Sequence, residues 1–498
     1  MHVKTVFGMP LPENSVATPD SDSPFRILVI GDFGSDNSWG SPVKVDRDNL
    51  DRVLQRCNVR VRPTGSMGFS GVEIPLASME DFHPDRLYER LELFASMRER
   101  RDRLEDDSTF AEEAEAILAA RGKPESGKLT STSSPPATGI EVGDLFDQML
   151  DQTETSQRSV VDQIATGSLN IDELVRQTIA PHLVDSADPR QAEFIAGVDS
   201  AIAETMRRLL HHPAYQHVEA AWLGVKMLIR RLETGPDLQI HLLNVSKSQL
   251  AEDVSSNDDL SRSRLYKLLF DATTVAGSDP WTVVIGNFTF DASPSDTEML
   301  GRIAQIHSSA GAVFVAGALP AVVGCSDLAA TPDPHDWSSP RGDAADHWQA
   351  LRALSAAASI ALTLPRILAR NPYGASSDPI DSFKFEEIPD GTVHRNYLWM
   401  NAAFVVATIL GRSFSQAGWS LNSAWAPALE DLPVYFYDDN GESVLKPCGE
   451  VELVLRAGEV LSDAGLTPVH SVRDQGSVLV PSLRSLSSSQ KPVAGAWE

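Results

Sequence analysis

Leu364-Pro365-Arg366-Ile367-Leu368-Ala369-Arg370-Asn371-Pro372-Tyr373-Gly374 opens the stretch that decides how this chain folds. It continues through Phe383-Lys384-Phe385-Glu386-Glu387 and Tyr397-Leu398-Trp399-Met400-Asn401-Ala402-Ala403-Phe404, and closes on Gly418-Trp419. Pro and Gly set backbone turns here, while Trp, Tyr and Phe fill large core volumes. No nucleophile stands beside a base, no metal-ligand cluster occurs and no phosphate loop is present. The residue types point to a protein whose role is shape.

Working outward, 498 residues exceed one compact core and suggest about two to four domains. A hydrophobic fraction of 42% suits ordinary globular packing. No apolar run reaches the roughly 20 residues that span a bilayer, so no membrane insertion is expected. Met1 to Pro24 lacks the basic and long apolar regions of a signal peptide, and a soluble cytoplasmic protein is expected. Three scattered cysteines, Cys57, Cys325 and Cys448, argue for buried free thiols rather than a disulfide framework or zinc site. A net charge of −27 disfavours nucleic acid as a partner, since phosphate contacts need clustered Lys and Arg.

The chain divides at Arg121 to Ile140, where Ser, Thr, Pro and Gly replace apolar periodicity. Six segments follow: an unstructured arm (1–24), a small α/β unit (25–107), a Ser/Pro-rich linker (108–140), a helical region (141–236), a larger α/β body (237–485) and an unstructured tail (486–498). In the small unit, Arg26 to Ile30 reads as a buried strand. Leu50, Val53, Leu54 and Cys57 share one helical face, and Val72 to Leu76 reads as a second strand. Ser78-Met79-Glu80-Asp81 is a capping signature for a helix carrying Leu87, Leu91 and Phe94. Its charged end, Arg98 to Asp107, is expected to be a solvated terminus. In the larger part, Val198, Ile202, Met206, Leu209 and Leu210 form one amphipathic stripe, and Val218 to Leu232 a second, beyond Pro213. Strand-like Leu238–Val245, Trp281–Ile285 and Ala312–Ala316 then alternate with helices, the second over Asp296–Ser308. That alternation implies mixed sheets covered by helices. The expected class is α/β, mixed α+β.

Candidate chemistry is sparse. Gly31-Asp32-Phe33-Gly34-Ser35-Asp36-Asn37 resembles a kinase magnesium loop, but no glycine loop, strand lysine or His-Arg-Asp accompanies it. A metallophosphoesterase built around Asp32, the remote alternative, needs further His and Asp ligands, and no His follows Gly286-Asn287. A structural turn after a strand accounts for the motif better. His211-His212, being adjacent, point to different sides of a helix and cannot share a metal; an interaction with the helix C-terminus accounts for them. Arg366 and Arg370, with Glu386 and Glu387 following, suggest buried or interface ion pairs, a substrate carboxylate clamp being the lesser alternative. The chain is expected not to be an enzyme and to need no cofactor.

Taken in order, these landmarks resemble the contractile sheath of the type VI secretion system. Phe25 to Gly31, Val43-x-Val45-Asp46-Arg47-Asp48-Asn49-Leu50-Asp51 and Ser78-Met79-Glu80-Asp81-Phe82-His83-Pro84 are similar to its small (TssB/VipA-like) subunit. From about residue 141 to 485 the chain is similar to the large (TssC/VipB-like) subunit. The match rests on His212-Pro213, Glu219-x-x-Trp222-x-Gly224, Val245-Ser246-Lys247-x-x-Leu250-x-x-Asp253, Ile285-Gly286-Asn287-Phe288-x-Phe290, the Leu364–Trp419 block and Gly465-Leu466-x-Pro468. The resemblance implies a fusion of two subunits usually made as separate chains. Leu223, Asn287 and Met400 stand where Arg, Asp and Gly are usual.

The resemblance further implies a structural protein that stacks in rings around an inner tube protein and contracts to propel it. Its implied partners are other sheath subunits, the inner tube, the baseplate and a disassembly AAA+ ATPase. The ATPase of this family recognises an amphipathic helix, which Gly143 to Asp151 resembles, with Leu145, Phe146, Met149 and Leu150 on one face. An ordinary helix docking on its own domain is the other reading. The sequence stops soon after Gly465, where family large subunits carry a further segment. The alternative is therefore a non-polymerising accessory protein that binds sheath or baseplate.

Overall fold

The structure is a computed structural model that describes residues 7, 11, 20, 22–36, 38–63, 69, 71–121, 188, 190–256, 258–274, 279–338, 340–489 and 491–497. Its strands begin with β1 (Phe25–Gly31), β2 (Val43–Val45), β3 (Val59–Val61), β4 (Ile74–Leu76), β5 (Leu238–Asn244), β6 (Val283–Phe290), β7 (Val313–Ala318) and β8 (Ile360–Leu364). Shorter ones follow: β9 (Ile367–Leu368), β10 (Trp399–Met400), β11 (Ala428–Leu429), β12 (Tyr435–Asp439), β13 (Glu442–Lys446), β14 (Thr467–Pro468), β15 (His470–Ser471) and β16 (Val478–Leu479). The helices are α1 (Leu50–Cys57), α2 (Pro84–Arg90), α3 (Ala95–Glu105), α4 (Phe110–Arg121), α5 (Gln191–Leu210), α6 (Pro213–Arg231), α7 (Lys247–Ser255), α8 (Arg264–Thr274), α9 (Pro294–Ala310), α10 (Asp343–Arg352), α11 (Ala403–Ala417) and α12 (Leu455–Asp463).

A seven-stranded sheet in the order β14-β8-β7-β6-β1-β5-β2 organises the molecule. Every pairing in it is parallel except β2 with β5. Period-two alternation sends Ile27 and Val29 of β1 into one core, with Val283, Ile285, Val313 and Val315. Leu28, Ile30, Val284, Phe314 and Ala316 face the other. Burial on both faces explains why these strands read as continuous apolar runs. Helices α11, α6 and α5 cover the first face, and α9 with α7, α8 and α10 covers the second. The expected α/β class with a helix-covered mixed sheet is what the chain adopts.

The small unit does not stand apart from this sheet. β1 lies between β5 and β6, in register with Leu238–Asn244 on one edge and Val283–Gly286 on the other. Phe25, Ile27, Leu28, Val29 and Ile30 are all fully buried. At about 1.5–3 kcal/mol per large apolar side chain, withdrawing β1 would cost on the order of 10 kcal/mol. The packing of residues 25–105 on the larger half thus occurs within one chain.

Local expectations were met unevenly. α1, α5 and α6 bury the stripes named above. The Ser78 capping box forms, but the turn after it is a short 3-10 segment, Met79–Phe82. His83 is extended (φ −71, ψ 138) before Pro84 at the first position of α2. Leu91 (φ −81, ψ 131) ends α2 before a further 3-10 turn, Glu92–Phe94, and α3, so one long helix becomes four short pieces. The charged α3 is no solvated terminus: Met97 and Leu104 are buried, and Arg101 Nε sits 2.8 Å from Asp199 of α5. Three segments read as unstructured also pack. Phe7 in the arm is buried against Gly301, and Phe110 and Ile117 of α4, in the expected linker, are buried. In the tail Leu486 is fully buried, its N–H donating to Ile360 O at 2.8 Å, and Trp497 lies 6.4 Å from Phe25. In each case short apolar clusters find distant partners, which local periodicity does not register.

Candidate functional site

A seam of side-chain-to-backbone hydrogen bonds joins residues 25–121 to the rest of the chain. Trp222 Nε1 of α6 donates to Phe33 O at 3.1 Å, with the two rings 5.4 Å apart. Tyr215, one helical face along, donates its hydroxyl to Phe82 O at 3.0 Å. Asp85, in the first turn of α2, accepts the Ser382 N–H at 2.9 Å, and His83 packs edge-on against Tyr373 at 5.0 Å. Arg47 donates to the carbonyls of Ile229 and Arg230, which the α6 C-terminus leaves open. Backbone carbonyls at these points are satisfied across the seam rather than by water, which ties its register to side-chain identity.

Beneath it lies a buried charge cluster. Arg370 Nε is 2.6 Å from Glu219 Oε1, and its Nη1 is 2.7 Å from Glu387 Oε2. Glu387 also accepts the Tyr373 N–H at 2.8 Å, and the guanidinium lies 4.0 Å over the Tyr373 ring. The side chains of Arg370, Glu219 and Glu387 are 13%, 1% and 2% exposed. Burial raises the Glu219 carboxyl against the pull of Arg370, with Glu387 adding repulsion. Burial opposes the Arg370 charge as well, but the two carboxylates outweigh it and hold it protonated. His211 Nε2 lies 3.8 Å from Glu387, and burial lowers that imidazole's pKa. Beside the cluster a cleft of about 600 Å³ opens between α2 and α6.

The candidates among the described residues have definite places. Arg366 does not join Arg370: it pairs with Glu450, 84 residues on. Burial pushes Glu450 up, but hydrogen bonds from His394 and Arg366 outweigh it and hold it at about 2. Of the two glutamates, only Glu387 reaches Arg370; Glu386 accepts from Ala375 N at 3.0 Å. Both arginines have their carboxylates within the chain, so the ion-pair reading holds over the clamp. His212 caps the next helix instead: as the N-cap of α6 its Nδ1 accepts the Ala214 N–H at 3.2 Å. Asp32 accepts the Gly34 N–H in a tight turn where Gly34 has φ +73. Among the described residues no group of three His, Cys, Asp or Glu is placed to hold a metal ion, and no helix is long and apolar enough to cross a membrane. Leu145, Phe146, Met149 and Leu150 lie outside the described residues.

Glu219, quoted above as a landmark only, is the site residue whose ion-pair role sequence reasoning missed. One signal was available: it shares the apolar face of Tyr215 and Trp222, where a carboxylate requires a buried partner. Which partner, 151 residues away, no local pattern states.

Residues 192–487 match the family model for the EvpB/VC_A0108 tail sheath N-terminal domain (VipB). Residues 12–118 match the model described as type VI secretion system, VipA, VC_A0107 or Hcp2. The type VI secretion system sheath protein TssC1 of Pseudomonas aeruginosa is 31% identical over 287 residues, which cover 55% of this chain and 57% of that protein. The chain thus spans little more than half the length of that relative. A cryo-EM structure of the anti-feeding prophage baseplate, 6-fold symmetrised, aligns with 55% of this chain and 53% of its own at 14% identity and a TM-score of 0.29, too low to bear on the fold. With a VipB-type region over more than half its length and a VipA-type region ahead of it, the chain belongs to the type VI secretion tail sheath family as a fusion of small and large subunits.

Proposed function

We propose that this chain assembles around an inner tube and contracts to propel it, supplying both sheath subunits in one polypeptide. The observation that carries this reading is the position of β1, a VipA-type strand hydrogen-bonded on both edges by VipB-type strands. Two family regions that share one sheet move as one body, which is what a ring subunit must do while its neighbours rotate. Strand addition between subunits suits that movement, because backbone hydrogen bonds hold neighbours in place as the bodies turn. A heterologous, non-closing contact then grows into a tube.

The proposed partners are other sheath subunits, the inner tube and the baseplate, in the cytoplasm. The disassembly ATPase is proposed to bind at Leu145, Phe146, Met149 and Leu150. The role is mechanical and not enzymatic. Electron microscopy of the purified chain, alone and with its system's other sheath chains, tests this. Tubes or stacked rings are expected; their absence in both samples overturns polymerisation and leaves an accessory role on sheath or baseplate.

A further inference from the structure

A second cleft, of about 450 Å³, opens beside the irregular segment of β6. Its lining includes Lys247, Arg366, Arg395 and His217, together with Tyr397 and Trp399, and no Asp or Glu. In a chain of net charge −27 this segregation is notable. The counter-charges of Lys247 and Arg366, Asp296 and Glu450, sit outside the lining. Arg395 and His217 are exposed, and Arg395 has no ion-pair partner among the described residues. The cleft therefore offers the cationic donors Arg395, Lys247 and Arg366, which fits a carboxylate-bearing segment.

The chain carries such a segment. The β12–β13 hairpin turns at Asn440 (φ 56) and Gly441 (φ 89), a two-residue turn that both left-handed residues pre-form. Its tip presents Asp438, Asp439 and Glu442, none of which pairs with a cation among the described residues. Phe436 on the same hairpin is 61% exposed, an unusual loss of apolar burial for an aromatic residue on a regular strand. Tyr435 and Tyr437 anchor the base on Tyr397 and Gly391, so the hairpin stands as a fixed projection.

We infer that the cationic cleft receives the acidic β12–β13 hairpin of a second copy of this chain. The inference rests on the sheath reading and names one contact through which copies join. Charge complementarity orients the approach, and Phe436, exposed beside the hairpin carboxylates, gains apolar cover in the contact.

Charge reversal tests it in the full chain. Arg395→Glu, at an exposed position, is expected to raise the concentration for self-association at least tenfold in sedimentation. The paired change Asp438→Lys with Asp439→Lys should do the same. All three changes in one chain recreate complementary charges and should restore association to within about threefold of the parent, an effect that weakens in high salt. Zero-length carbodiimide coupling of mixed heavy- and light-isotope chains should join the hairpin carboxylates of one copy to Lys247 of another. If the parent assembles while the single reversals assemble equally well, or if the combination fails to restore association, this contact is wrong and the sheath reading stands. A parent that never associates, alone or with other sheath chains, removes both.

Discussion

Replacing Arg370 by Met removes the only guanidinium from a site that holds two carboxylates, 2.6 and 2.7 Å from it and at most 2% exposed. Met keeps much of the stem volume, so the loss is mainly electrostatic. Removing one partner of a buried ion pair costs about 3–5 kcal/mol, because the remaining charge is neither solvated nor paired. Burial, the largest influence on His211, 3.8 Å from Glu387, still opposes its charge when the smaller repulsion from Arg370 is lifted, so it compensates only in part. The sign of the pH dependence follows. Without Arg370, burial and repulsion from Glu387 raise the folded pKa of Glu219 above the unfolded ~4.3. Protonation relieves the site below that range, and stability is lost as pH rises through the folded value. The deficit of Arg370→Met against the parent should therefore be small near pH 4 and reach about 3–5 kcal/mol near pH 7.5. Glu219→Gln, which leaves the Arg370–Glu387 pair, should cost about 1–2 kcal/mol. Urea unfolding of unassembled chain, followed by tryptophan fluorescence, measures both. A deficit below 1 kcal/mol at pH 7.5, or one that grows toward acid, would refute the reasoning.

Four further outcomes are expected. Gly224→Ala places a methyl against the Phe404 ring where α6 crosses α11, so it should cost about 1–3 kcal/mol and lower the thermal midpoint. Burial holds His307 neutral in the fold, its pKa lowered from 6.5 to about 3, so its contribution is full above pH 6.5 and lost as pH falls toward 3; urea midpoints at pH 7 and 5 should differ, and less so in His307→Leu. Proteolytic cleavage between residues 122 and 187 should leave residues 25–121 bound through gel filtration, because β1 is held on both edges; free separation of the pieces would contradict the shared sheet. Leu145→Asp with Phe146→Asp should abolish pull-down of the disassembly ATPase while leaving tubes intact; unchanged pull-down would place its site elsewhere.

Much of this protein was legible in the order of its residues. The runs Ile27–Ile30 and Val313–Ala318 are apolar throughout because both sheet faces are covered, and that is visible one strand at a time. The stripes of α5 and α6 follow from helical period alone, and the Ser246 capping box forms as its spacing implies. The pairing of Arg370 with a nearby glutamate was within reach, since Glu387 lies 17 residues on.

Long-range partnership was not legible. Nothing near Glu219 names Arg370, nothing near Arg366 names Glu450, and nothing near Trp497 names Phe25. The largest decision of this kind is the place of β1. By sequence it belongs to a small unit ahead of a polar connector, and its composition is equally suited to a separate sheet. Only the assembled core puts it between β5 and β6, because there both of its edges and both of its faces are satisfied at once. Local composition determines that a segment must be buried; which segments bury one another is settled by the shape of the whole.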